Sequence, residues 1–297
     1  MKIHIDGELY EKEDAKISVF DHGVLYGDGV FEGIRAYNGR VFRLEKHLQR
    51  LQESAEAIYL TLPMSLKKIG EAVLETLRAN SLKDAYIRLV VTRGVGDLGL
   101  DMRKCKKNAS LIVIADAIEL YPESYYEKGL ELIISSIRQR GPDQLPPNIK
   151  SLNYLANILA RAEATRAGAQ EAILLNQQGY VSECSGDNIF MVYEGRIYTP
   201  PLHAGLLEGV TREVVMELVR EKMGGAVVEK LFTPFELYRA HEVFLTGTGA
   251  EVIAAVTIDG HAIGSGAAGP VTRKVMALFR DYARSNGTPI YEEAKVK

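Results

Sequence analysis

The sequence predicts an α+β fold in two domains, on three observations. Its 297 residues suffice for two domains of ordinary size. Strand and helix signals come in groups along the chain and do not strictly alternate. Asp6-Gly7 and Asn38-Gly39 each separate short runs rich in strand formers, which is the mark of an antiparallel hairpin.

The elements follow in order. Residues 2–5 and 8–10 form the first hairpin, and "GVFEGIRAYNGRVFRL" (29–44) forms the second. "RLEKHLQRLQESAEAIYL" is helical, with Leu44, Leu48, Leu51, Ala55 and Ile58 on one face. "SLKKIGEAVLETLRAN" (65–80) is a second helix, with Ser65 placed to cap it. Strands at 85–94 and 109–118 complete a first domain, 1–118. Residues 119–128, "ELYPESYYEK", break the pattern with a proline and charges, so the interdomain connection belongs there. The second domain, 129–297, opens with the strand "GLELIISSIRQR". A helix follows Lys150, then short strands near 171–175, 187–193 and 196–199. A helix over 211–224 ends at glycine. Two strands in 241–260 flank a tight "TGTG" turn, and "GPVTRKVMALFRDYARSNG" is the closing helix. "GSGAAG" (264–269) lacks phosphate-loop spacing and reads as a plain loop.

Composition narrows the function. A formal net charge of -3, with 46% hydrophobic and 25% charged residues, is ordinary globular usage. It gives no electrostatic case for nucleic acid or an anionic membrane as partner. The run "RKCKK" at 103–107 reads as a solvated loop. Cys105 and Cys184 form no CxxC and no His/Cys cluster, so neither a metal site nor a disulfide framework is expected. The first residues alternate polar and apolar and carry acids, unlike a signal or transit peptide. No apolar run reaches the length of a membrane span. The expectation is a soluble, cytoplasmic protein.

Five features could carry chemistry. Lys150 stands where a loop becomes an apolar helix, with Leu152, Leu155, Leu159 and Ala162 on the helix face and Ser151 as its cap. A cation is disfavoured at that end of a helix dipole. More of such a lysine is neutral amine, the form a Schiff-base nucleophile needs. A solvated loop lysine is the common alternative. "LLEGVTR" (206–212) puts Gly209 and Thr211 where a helix begins, as either an anion site or an ordinary cap. "TGTG" (246–249) is either an anion-binding nest or a hairpin turn. Arg50, off the apolar stripe of its helix, either meets solvent or reaches towards a phosphate. Glu183, at the end of a short strand in "YVSECSGDNIFMV", is either a surface carboxylate or a buried acceptor for a ring N–H⁺. A Schiff-base lysine, a phosphate cup on a helix N-terminus and an acid for a pyridinium nitrogen are together what pyridoxal 5'-phosphate requires.

The chain resembles the class IV aminotransferases, the fold type IV pyridoxal-phosphate enzymes. The resemblance spans nearly its whole length. It rests on "DHGVLYGDGVFEGIRAYNGRVFRLEKHLQRL", "AYIRLVVTRG", "IKSLNYLANILARAEA", "VSECSGDNIFMV", "LLEGVTR" and "VFLTGTGAEV", in the family's order. It implies a two-domain fold like the D-amino acid aminotransferases, with the cofactor in the interdomain cleft. It implies that Lys150 carries the cofactor and that Glu183 meets its ring nitrogen. Tyr154 would bond the phenolic oxygen, and Leu206 would join the cofactor site. Arg50, the Val210 and Thr211 amides and Thr248 would hold the phosphate. Thr248 and Gly249, helped by Tyr86, would meet the substrate α-carboxylate.

"VFEGIRAY" and "AYIR" resemble the branched-chain amino acid aminotransferases most. There Tyr26, Phe31 and Tyr86 would wall an apolar pocket, Arg88 would take glutamate's distal carboxylate, and Arg35 would lie nearby. The implied reaction moves the amino group of leucine, isoleucine or valine to 2-oxoglutarate. The implied assembly is a homodimer or a multiple of dimers. D-amino acid aminotransferase is the close alternative, but "VTRGVGDLGLDMRKC" has no histidine for that family's carboxylate trap. Aminodeoxychorismate lyase and a non-catalytic cofactor carrier are further alternatives. Gly249 stands where many branched-chain enzymes have alanine.

Overall fold

Asp6 and Gly7 take positive φ (53° and 103°), as do Asn38 and Gly39 (49° and 78°), so both hairpins turn as a tight two-residue loop requires. The computed structural model describes residues 1–105, 109–117 and 121–291. Two units divide the chain. One holds Met1–Ile118, Ile149–Asn153 and Ala283–Lys297; the other holds Glu119–Asn148 and Tyr154–Tyr282.

The first unit contains β1 (Lys2–Ile5), β2 (Glu8–Glu11), α1 (His22–Tyr26), β3 (Gly29–Tyr37), β4 (Arg40–Val41), α2 (Leu44–Ala57), α3 (Leu66–Ala79), β5 (Ala85–Thr92) and β6 (Ser110–Asp116). Its sheet runs from the short strand Thr288–Pro289 through β4, β3, β5, β6 and β1 to β2. Register fixes the two faces. Phe31, Gly33 and Arg35 lie opposite Val90, Arg88 and Tyr86, so these six share one face. Val30, Ile34, Leu89 and Val91 point the other way and pack with Leu51, Ile69, Val73 and Leu77 of α2 and α3. Each of those side chains is fully buried, worth about 1.5–3 kcal/mol apiece. The expected stripe of α2 is buried from Leu44 to Ala55, and Ser65 Oγ accepts the Lys68 N–H at 3.4 Å at the start of α3.

The second unit contains α4 (Glu123–Lys128), β7 (Leu130–Arg138), α5 (Leu155–Arg166), β8 (Glu171–Leu175), β9 (Val181–Cys184), β10 (Asn188–Tyr193), β11 (Arg196–Thr199), α6 (Val210–Lys222), β12 (Val227–Glu229), α7 (Pro234–Tyr238), β13 (Glu242–Gly247), β14 (Glu251–Ile258), β15 (His261–Ala262) and α8 (Pro270–Ser285). The last turn of α8 counts with the first unit. The sheet order is β12-β11-β10-β13-β14-β7-β8-β9, with β15 paired to β14. Buried Glu242 accepts the N–H groups of Val271 and Thr272 at 3.1 and 2.7 Å, capping α8 from a strand.

Four expectations are corrected. The helix after Lys150 begins at Leu155, and Ser151 is not its cap. Ser151 bridges Val30 in an antiparallel pairing, which extends the chain there. The buried face of α5 is Asn157, Ala160 and Ala164; Leu155 and Leu159 are 67% and 48% exposed. Small side chains let this helix lie close on Ala172 and Leu174 of β8. Lys150 and residues 283–291 were expected in a domain 129–297, but they count with the first unit. Finally, residues 123–128 of the expected connection form α4. Residues 106–107 of the basic run, residue 118 of the expected strand and residues 119–120 of the connection lie outside the described residues.

Candidate active site

Lys150 is held by its backbone. Its C=O accepts the Phe31 N–H at 3.0 Å, and the Leu152 N–H donates to Gly29 O at 2.9 Å. The Lys150 N–H donates to Ser54 Oγ of α2 at 3.1 Å. The lysine is therefore fixed to the sheet and not to a helix end, and the dipole argument falls. Its Nζ stands 4.7 Å from the centre of the Phe31 ring. On the same face, the Arg88 guanidinium lies 4.6 Å from the Phe31 ring centre and 5.5 Å from that of Tyr86. A Cβ on Gly33 would overlap the Tyr86 hydroxyl, so glycine opens the space that the hydroxyl fills. Arg35, opposite Tyr86 in register, has its guanidinium 5.1 Å from the Tyr37 ring centre. Tyr26 sits on α1, packs edge-on against His22 at 5.0 Å and accepts the Gly99 N–H on its hydroxyl at 2.8 Å.

Behind β3 lies a cluster that sequence reasoning missed. Glu32 is fully buried, and Arg50 grips it with two parallel bonds of 2.8 and 2.7 Å. His47 Nδ1 lies 2.7 Å from Glu32 Oε2. An ionised carboxylate only accepts, so Nδ1 carries the proton and donates. Burial alone would raise the Glu32 carboxyl; the Arg50 charge and the bonds from both partners outweigh it and hold it at about 2. Burial lowers His47 below its ordinary value, against the pull of Glu32. The one sequence signal was a charge inside the apolar strand "VFEGI".

In the second unit, β9 presents Glu183, 7% exposed. Gln139 Nε2 donates to its Oε1 at 2.6 Å, and the Leu207 N–H donates to its Oε2 at 3.0 Å. Leu206, named from the sequence, is buried, while its neighbour supplies that N–H. Asn188 Nδ2 reaches Leu207 O at 2.9 Å, which braces the loop. Gly209 is the N-cap of α6 and offers no side-chain bond to the helix. The Val210 and Thr211 amides thus open the helix without a side-chain cap. A Cβ on Gly209 would overlap Asn188 Oδ1, so only glycine allows this approach. Thr248 and Gly249 lie half-buried in the turn between β13 and β14. Tyr154 is the N-cap residue of α5.

These residues fit pyridoxal 5'-phosphate. The uncapped start of α6 suits a phosphate. Glu183 is a buried carboxylate held by neutral donors, the chemistry that suits a ring N–H⁺. Thr246 Oγ1 is buried with no partner among the described residues, and Thr246 pairs with Asn188, so both face the same side.

Residues 29–258 match the family described as amino-transferase class IV. The chain belongs to that family. A 48% identical protein of Methanocaldococcus jannaschii, provisionally named a branched-chain-amino-acid aminotransferase, aligns over 99% of this chain and 100% of its own. A solved branched-chain aminotransferase of Thermoproteus uzoniensis with norvaline has a TM-score of 0.91 at 39% identity, covering 98% and 99% of the two chains. The Escherichia coli branched-chain amino acid aminotransferase, also solved, has a TM-score of 0.91 at 35% identity, covering 99% and 97%. The class IV aminotransferase described here therefore has the fold type IV architecture.

Proposed function

We propose that this aminotransferase uses pyridoxal 5'-phosphate to move the amino group of L-leucine, L-isoleucine or L-valine to 2-oxoglutarate, giving 2-oxo acids and L-glutamate. The carrying observation is the sheet face of the first unit. There Lys150 Nζ, the Phe31 and Tyr86 rings and the Arg88 guanidinium stand together. A largely apolar wall with the Arg88 guanidinium against its rings suits a branched aliphatic side chain in one half-reaction and a distal carboxylate in the other. The nature of the relatives supports the same substrates.

The bound cofactor supplies an electron sink for the charge that develops at the substrate α-carbon. Lys150 holds the cofactor covalently and then moves a proton at that α-carbon through Nζ. Glu183 holds a proton at the ring nitrogen. Tyr154 donates to the phenolic oxygen, and Leu206 packs at the cofactor site. Arg50, the Val210 and Thr211 amides and Thr248 bind the phosphate. Thr248, Gly249 and Tyr86 orient the α-carboxylate, Arg88 takes the distal carboxylate, and Tyr26, Phe31 and Arg35 shape the pocket wall.

The assembly in this reading is a homodimer or a multiple of dimers. It is supported by exposed apolar side chains, Val19, Phe20 and Val24 at 73%, 48% and 58%, beside Leu98 and Leu100 at 63% and 85%. The Gly96 N–H donates to Phe20 O at 3.2 Å and ties the two stretches together. Among the described residues no helix is long and apolar enough to cross a membrane. Free Cys105 and Cys184 suit a reducing compartment such as the cytoplasm.

Incubation with L-leucine and 2-oxoglutarate tests the reading. L-Glutamate and the matching 2-oxo acid should form in equal amounts, and Lys150→Ala should abolish both. Turnover that survives Lys150→Ala, or none in the wild type, would refute it.

A further inference from the structure

Gln139 follows the end of β7 and is 1% exposed. Its N–H donates to Leu175 O at 2.9 Å, and its C=O accepts the Gln177 side-chain amide at 2.9 Å. Its Oε1 accepts the Arg140 N–H at 3.0 Å. That bond decides the orientation of the amide. With Oε1 committed to an N–H, Nε2 must face Glu183, where it donates at 2.6 Å. The opposite rotamer would set an amide oxygen against a carboxylate oxygen and an N–H against an N–H. Backbone and side chain are thus locked, and the lock points at one atom, Glu183 Oε1.

We infer that Gln139 is the positioning residue for Glu183, a neutral donor that orients the carboxylate without cancelling its charge. This rests on the proposed cofactor role of Glu183. A donor is needed because a buried carboxylate with too few bonds takes up a proton. Neutrality matters because a cation at 2.6 Å would compete with the ring N–H⁺ for the same negative charge. Gln139 meets both needs, and the Leu207 N–H does the same at the second oxygen.

The test compares the holoenzyme with Gln139→Leu and Gln139→Glu, reading the dissociation constant for pyridoxal 5'-phosphate across pH. Gln139→Leu removes one bond to a charged group, so binding should weaken about ten- to a hundredfold at every pH. In Gln139→Glu the introduced carboxyl can donate while it keeps its proton. Binding should then be near wild type at about pH 5 and fall away towards about pH 8 as the two carboxyls compete. Wild-type affinity in both variants overturns the inference. So does an equal loss in both at every pH, which is what mere packing damage gives.

The unbound protein separates this from failure of the cofactor reading. Sharing a proton raises the pKa of the introduced pair, so its stability is present at low pH and lost as pH rises through that raised value. Relative to wild type, the unfolding midpoint of Gln139→Glu should drop as pH rises from about 5 to 8. A wild type that binds no cofactor, with this drop present, refutes the function but keeps the contact. A profile parallel to wild type overturns the contact itself.

Discussion

Replacing Glu32 by glutamine keeps the shape of the side chain and removes its charge. The loss falls on Arg50, whose side chain is 12% exposed against 0% for Glu32, so water screens little of it. Holding the carboxyl at about 2 instead of its ordinary 4.5 corresponds to about 3 kcal/mol at 1.36 kcal/mol for each tenfold change. That agrees with the roughly 3–5 kcal/mol lost when one partner of a buried ion pair is removed. Glu32→Gln should therefore destabilise the unbound protein by about 3 kcal/mol at pH 7, read by urea unfolding. The pH dependence gives a second check. A depressed carboxyl stabilises the fold above its unfolded value of 4.5 and loses that contribution as pH falls towards about 2. Wild type should lose stability through that window, and Glu32→Gln should lose less. His47, lowered by burial, adds loss of the same sign as pH falls below 6.5. A change under about 0.5 kcal/mol, the level of a neutral surface substitution, would refute the reasoning.

Other perturbations address single contacts. Gly209→Ala meets Asn188 Oδ1 at ordinary φ (-73°), so about 1–3 kcal/mol of overpacking should appear in unfolding curves. Cofactor affinity should fall with it, and a neutral result would mean that the α6 start is not tight. Gly33→Ala should raise the KM for leucine by pressing on the Tyr86 hydroxyl. Tyr86→Phe in the same chain should recover part of the loss, because the two sites are coupled. Arg88→Met should cost about 10²-fold in kcat/KM for 2-oxoglutarate, from a lost charge-assisted contact, and much less for leucine; equal losses would take the distal-carboxylate role from Arg88.

What the sequence disclosed was local. Asp6-Gly7 and Asn38-Gly39 specify their turns by backbone preference alone, and Ser65 caps α3 with its own hydroxyl. The "LLEGVTR" motif likewise put a helix start beside Gly209, where α6 begins. What stayed hidden depends on partners far along the chain. Lys150 looked like the residue before a helix, since nothing nearby reveals that residues 150–152 pair with Gly29 and Phe31. The Leu155 and Leu159 stripe had helical spacing but faces outward, while alanines pack. For Arg50 the sequence offered solvent or a phosphate but not Glu32, because that carboxylate lies 18 residues earlier on a strand. Gln139 gave no signal, because an amide is informative only once the carboxylate it touches is known.

The most direct measurement is the visible spectrum of the purified protein with pyridoxal 5'-phosphate, with no amino acceptor present. L-Leucine goes into one cuvette and D-alanine into another. The account predicts that the bound-cofactor band collapses with L-leucine and holds with D-alanine, and that Lys150→Ala never forms it. A band that yields to D-alanine alone, or to neither amino acid, would contradict the account.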